Sequence, residues 1–208
     1  DVLAEGVKRA AERLGAAEIV PGGRVGVARF PADAQTASEL LEAAQTARMG
    51  IPATGEQVAI FTPEARAAAL RKLAVESGLR RAAERGELSL SYQLQADLTT
   101  GEIAGAQVIM NWTSQTLGSV PAHEFLPIAM QTGLIVMLGD WKREAICQQL
   151  RAWEQVGVRV PRLSMRISQL ELQQPDMVDK LRQSLLANGL QAQALGIEIS
   201  EQALFNAS

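Results

Sequence analysis

Within Gly101-Glu102-Ile103-Ala104-Gly105-Ala106-Gln107-Val108-Ile109-Met110-Asn111-Trp112, Gln107 is a lone amide in an apolar stretch. Buried there, it must find hydrogen-bond partners or lose about 1–3 kcal/mol. It is therefore either a structural, hydrogen-bonded amide or a group facing the open end of a barrel or a crevice, and the stretch alone leaves both readings open. His123 is the one histidine and Cys147 the one cysteine among 208 residues. A metal site built on a histidine cluster and an internal disulfide are both excluded. Any metal chemistry would have to use carboxylates and amides, donors that suit hard ions such as magnesium or manganese.

The elements that hold such groups follow from residue types. Ile103, Val108 and Ile109 are β-branched, Gly101 and Gly105 allow a turn and a close backbone approach, and Trp112 closes the run, so the stretch reads as a buried strand entered through a turn. The length allows one large or two small domains with ample core. A net charge of −3 gives no basic footprint for bulk nucleic-acid binding. A single cysteine fits a reducing compartment. No run of about eighteen apolar residues and no signal-peptide pattern occurs. The expected location is the cytoplasm, with tethering to a membrane through an upstream region left open. A start at Asp1, without Met, implies a piece of a longer protein.

In chain order, residues 2–14 read as an amphipathic helix, Ile19-Val20 and Arg24–Phe30 as strands flanking the Pro21-Gly22-Gly23 turn. Thr36-Ala37-Ser38-Glu39 has capping-box spacing, so a helix starts near 37. Val58–Phe61 is a strand, Thr62-Pro63 starts a helix, and that helix is expected to run to about Gly86. Leu88–Leu94 alternates in strand period, and Asp97–Gly101 turns into the stretch that holds Gln107. Helices follow at Pro121–Met130 and after Gly139-Asp140, where Trp141, Ala145, Ile146, Leu150 and Trp153 form a core-facing stripe. Pro161–Ser168 and Leu195–Ser200 are strands around a helix over Pro175–Leu190. Alternation of this kind argues for parallel pairing in an α/β sheet or barrel.

Gly26-Val27-Ala28-Arg29-Phe30-Pro31, the helix with Glu39-Leu40-Leu41-Glu42-Ala43-Ala44, and Gly55 resemble the C-terminal part of a GGDEF (diguanylate cyclase) domain. The GGDEF hairpin itself would lie before Asp1, and Arg48-Met49-Gly50 replaces the usual Tyr-Ala-Lys. No cyclase activity is expected.

A second resemblance covers about residues 65–208. Tyr92-Gln93, Thr100-Gly101-Glu102, Gly105-Ala106, Trp112, Phe125-Leu126-Pro127-Ile128-Ala129, Thr132-Gly133-Leu134-Ile135, Ile167-Ser168 and Ile197-Glu198-Ile199-Ser200-Glu201 stand in the order of the EAL family of cyclic di-GMP phosphodiesterases. The resemblance implies a TIM-like barrel with its site at the C-terminal strand ends, where two divalent ions activate water against one phosphodiester. The fold class is then α/β: a partial GGDEF-type sandwich over residues 1–62, a linker helix over 63–86, and the N-terminal part of an EAL domain over 87–208.

Carried over residue by residue, the ligand-binding positions are Gln93, Gln107, Ile109, Asn111, Glu198 and Glu201. Gln93 and Glu198 match the family. Gln107 stands where the signature glutamate binds metal, Val108 and Ile109 replace the following alanine and leucine, and Asn111 stands where an arginine meets a phosphate. Arg166 replaces a metal-binding asparagine and Met130 a glutamate. At about 4 Å and an effective dielectric near 20, a unit charge acts with about 4 kcal/mol per opposing charge. The catalytic positions Gln107, Arg166 and Glu198 therefore describe a degenerate site with no metal expected, Glu198 being the one matching ligand. Arg166 is expected to pair with Glu198 and plug the seat. The chain also stops before the family's Asp-Asp-Phe-Gly-type motif.

The favoured reading is a non-catalytic signalling module that binds cyclic di-GMP or a signalling protein, with a homodimer left open and no cofactor. The alternative is an active phosphodiesterase with divergent ligands and magnesium or manganese.

Overall fold

The computed structural model describes residues 24–51, 58–158, 160, 162–201 and 203. The helix expected over 2–14, the strand at Ile19-Val20, the Pro21-Gly22-Gly23 turn and Gly55 lie outside the described residues. The chain divides into two compact units, Asp1–Leu73 and Ala74–Ser208.

In the first unit, β1 (Val25–Val27) and β2 (Val58–Ile60) pair in parallel, with Val25 opposite Val58. Between them α1 (Ala37–Met49) starts where the capping box places it. The Thr36 hydroxyl accepts from the Glu39 amide at 3.2 Å, and the Glu39 carboxylate accepts from the Thr36 amide at 3.0 Å. Two orphan N–H groups are thus satisfied at once. Ala43, Ala47 and Phe61 form the small core.

Helix α2 (Pro63–Leu79) is capped by Thr62, whose hydroxyl accepts from the Ala65 amide at 3.1 Å. It ends seven residues before Gly86. Arg81 and Ala82 donate to the carbonyls of Gly78 and Leu79, three residues back, which tightens the chain into turns. That turn keeps Ala82 beside Val75 and Leu79 in the core of the second unit.

The second unit is built on a five-stranded sheet: β3 (Leu88–Ala96), β4 (Ile103–Ser114), β6 (Leu163–Ile167) and β7 (Leu195–Ile199) lie side by side in that order, and β5 (Gly118–Val120) also pairs with β4. The alternating segment forms β3 (Leu88–Ala96), antiparallel to β4 (Ile103–Ser114), with Gln93 opposite Gln107. The intervening turn is organised by Asp97, whose carboxylate accepts from the Thr99 and Thr100 amides, and by Gly101 at φ 73°. A Cβ at Gly105 would run into the Arg162 carbonyl, which accepts from the Ala106 amide at 2.8 Å. Strand β5 (Gly118–Val120), β6 (Leu163–Ile167) and β7 (Leu195–Ile199) complete the sheet, and β4, β6 and β7 run parallel.

Helices α3 (Ala122–Thr132) and α4 (Leu134–Gln155) follow β5; α5 (Gln169–Leu172) and α6 (Met177–Ala187) join β6 to β7. One face of the sheet is apolar. Met110, Trp112 and Leu88 pack with Phe125, Ile128 and Leu138, while Ala106, Val108, Leu163 and Met165 pack with Ile146, Leu150 and Leu185. The Trp112 and Phe125 rings meet edge to face at 5.8 Å. The opposite face carries Gln93, Gln107, Asn111, Ser164, Arg166 and Glu198, so strand alternation alone separates core from candidate chemistry.

Gly139 corrects one sequence expectation. Helix α4 begins at Leu134 and runs through Gly139, which is buried in its second turn. A Cβ there would collide with the Glu171 carboxylate, so this glycine serves a close approach to α5 and does not start the helix.

Candidate functional site

Hydrogen bonds along the polar face converge on Glu198. Gln107 lies level with Ser164 across β4 and β6, and Glu198 lies level with Arg166 across β6 and β7. The Gln107 amide donates to Glu198 Oε2 at 2.5 Å, and the Ser164 hydroxyl donates to Glu198 Oε1 at 2.6 Å. Both oxygens of this half-buried carboxylate are engaged by neutral donors. Hydrogen bonds to a charged group are each worth about 1.5–3 kcal/mol net.

This differs from the expected ion pair. Arg166 and Glu198 are neighbours across adjacent strands, as expected, but no ion pair joins them among the described residues. Arg166 is exposed and lines a cavity of about 590 Å³ together with Gln107, Ile109, Met130, Lys142 and Glu171. Gln107 and Ser164 already satisfy both carboxylate oxygens, so the arginine is not needed to complete them.

The other expected positions separate. Gln93 is exposed on β3 and faces Gln107 by register. Asn111 donates to the Ser91 hydroxyl at 2.9 Å, a cross-strand bond within the hairpin. Glu201 is exposed beyond β7. His123 is exposed at the start of α3. Cys147 is buried in the core, where burial pushes its thiol up to about 11.

Three further residues belong to the site. Ser164 was hidden because its partner is fixed by strand register. Lys142 and Glu171 form a buried ion pair at 3.5 Å, and the Lys142 ammonium also donates to the Arg166 carbonyl at 2.7 Å. Burial lowers the Lys142 pKa, and the Glu171 charge opposes that fall. The available sequence signal was a lysine on the buried side of the α4 stripe, four residues from both Leu138 and Ile146.

A divalent ion does not fit this donor set. Among the described residues no group of three or more His, Cys, Asp or Glu side chains could hold a metal ion. Glu198 already accepts from two donors, and a fixed cation stands level with it on β6. The described residues also contain no helix long and apolar enough to cross a membrane.

Comparison with known proteins places the chain in a family. The bifunctional diguanylate cyclase/cyclic di-GMP phosphodiesterase MucR of Pseudomonas aeruginosa is 31% identical over 178 residues, 85% of this chain and 26% of the relative. The cyclic di-GMP phosphodiesterase PdeR of Escherichia coli is 27% identical over 193 residues, 92% of this chain and 29% of the relative. The chain therefore spans about a quarter of the length of these relatives. A solved MucR phosphodiesterase in complex with cyclic di-GMP matches with a TM-score of 0.58 at 31% identity, covering 62% of this chain and 52% of that one. The S helix-GGDEF-EAL structure of LapD from Vibrio cholerae shares the fold at 19% identity, with a TM-score of 0.58 over 83% of this chain and 41% of that one. The EAL-domain model matches residues 76–208, and the chain belongs to the EAL-domain family.

Proposed function

We propose that the chain is a cyclic di-GMP signalling module that does not hydrolyse the dinucleotide and acts as its receptor or as a docking module for a signalling protein. The observation that carries this reading is the closed Gln107–Glu198–Ser164 cluster, in which the single matching carboxylate is engaged on both oxygens. Two-metal hydrolysis needs anionic donors, and here the one matching carboxylate already accepts from an amide and a hydroxyl while an amide replaces the second. The cavity bordered by Gln107, Ile109 and Arg166 is the ligand site of this reading, Gln93, Asn111 and Glu198 extend it along the polar face, and Glu201 follows β7.

The same reading takes the second unit as the first part of a TIM-like barrel and the first unit as part of a degenerate GGDEF domain. Support for the latter is the β1-α1-β2 order with parallel strands. A cytoplasmic location belongs to this proposal, and a homodimer is compatible with it.

One alternative has its own support. MucR and PdeR are both described as phosphodiesterases, so an active enzyme with divergent ligands is the second reading. Calorimetric titration of the protein with cyclic di-GMP, with and without manganese, followed by chromatography of the mixture, separates the two. Saturable binding, or none, without linear product supports the signalling module. Linear dinucleotide formed at rates near those of active family members supports the enzyme.

A further inference from the structure

A lysine and a glutamate are buried together beside the candidate ligand cavity, where apolar side chains of similar volume would pack at no electrostatic cost. Lys142 lies on the core side of α4 between Leu138 and Ile146, both fully buried. Its ammonium donates to the Arg166 carbonyl at 2.7 Å and pairs with Glu171 Oε1 at 3.5 Å. Glu171 Oε2 in turn accepts from the Ser168 amide at 2.8 Å, and the Ser168 hydroxyl accepts from the Glu171 amide at 3.3 Å. The backbone is therefore gripped on both sides of Ile167, at the carbonyl of Arg166 and the amide of Ser168. Gly139 makes room for this by letting Glu171 lie against α4.

The Arg166 guanidinium has no hydrogen bond or ion pair of its own among the described residues, although its residue lines the cavity. Its backbone therefore sets where the side chain leaves β6. We propose that the buried Lys142–Glu171 pair is a positioning device that holds the β6–α5 turn and thereby stations Arg166 at the cavity. Replacing such a pair by apolar or neutral groups is often neutral for stability, so stability alone does not account for it. Only the ligand arm of the test below rests on the receptor reading.

The test compares the parent with Lys142→Met/Glu171→Leu, which removes both charges and the Ser168 acceptor together, and with Lys142→Arg, which keeps the cation. Nuclear magnetic resonance reads the Ser168 amide exchange rate and the Arg166 Nε–H resonance. Loss of the grip should speed Ser168 exchange about tenfold, the value of one hydrogen bond. It should also shift or broaden the Arg166 signal, with exchange in the β3–β4 hairpin unchanged; Lys142→Arg should leave both signals closer to the parent's than the double variant does. In the ligand arm, affinity for cyclic di-GMP should fall about tenfold in the double variant. Unchanged Ser168 and Arg166 signals would overturn the proposal. Equal acceleration throughout the second unit would also overturn it, by showing a purely structural role. A parent that binds no cyclic di-GMP defeats the receptor reading, and the resonance arm still decides this one.

Discussion

Two carboxylates close to the ends of the parallel strands are satisfied in opposite ways. Glu198 is half-buried and accepts hydrogen bonds from neutral donors, Gln107 and Ser164. Glu171 is buried and faces a buried cation, Lys142, while its second oxygen caps the Ser168 amide. The first arrangement leaves the Glu198 carboxylate without a salt-bridge partner among the described residues, at a face that water reaches. The second is neutral overall and sits against the core. A carboxylate is thus tolerated without a counter-ion only where solvent still reaches it, and this places the buried pair, and not Glu198, as the electrostatically critical contact.

The largest effect should come from breaking that pair on one side. Lys142→Met leaves a buried, uncompensated Glu171 and should cost about 3–5 kcal/mol of stability. Urea denaturation of the single and double variants checks this, and a double variant as unstable as the single one would refute the electrostatic account. Gly139→Ala comes next. Its new methyl collides with the Glu171 carboxylate and should cost about 1–3 kcal/mol through overpacking.

A smaller loss is expected at the polar face. Ser164→Ala removes one donor to Glu198 and should cost about 1–2 kcal/mol, because water can replace the hydroxyl. A loss as large as that of Lys142→Met would erase the contrast between the two carboxylates.

The smallest effect concerns a third carboxylate. The Trp112 indole N–H, above all, holds the Glu87 carboxyl below its ordinary value; burial opposes this, and the Gln115 amide and Arg85 reinforce it. The folded-state value is depressed, so Glu87 contributes stability above its unfolded-state value that is lost as the pH falls through the folded one. Glu87→Gln should therefore flatten the acid limb of a stability–pH profile and leave little change in how stability varies above neutrality.

Local chemistry made much of this fold legible. The Thr36–Glu39 capping box, the Thr62 cap, the alternation of Leu88–Leu94 and the Asp97 turn all depend on neighbours within a few residues. What the sequence concealed was set at long range. A glycine at 139 is read as a break until Glu171 is known to lie against it, and the position of Lys142 on the α4 stripe names no partner until its acceptors on β6 and α5 are in place. The neighbourhood of Arg166 and Glu198 was readable from the resemblance, but the outcome of competition for Glu198 was not. Ser164 wins one oxygen through a register that no local pattern encodes.

The claim that the strand-end cluster is closed to a divalent ion is tested most directly by manganese titration. Calorimetry should compare the parent with Gln107→Glu/Arg166→Asn, which restores two oxygen ligands and removes the fixed cation. The account predicts no saturable binding to the parent and a measurable gain in the double variant. Saturable manganese binding to the parent would contradict it, since Glu198 would then be free to exchange its two donors for a metal.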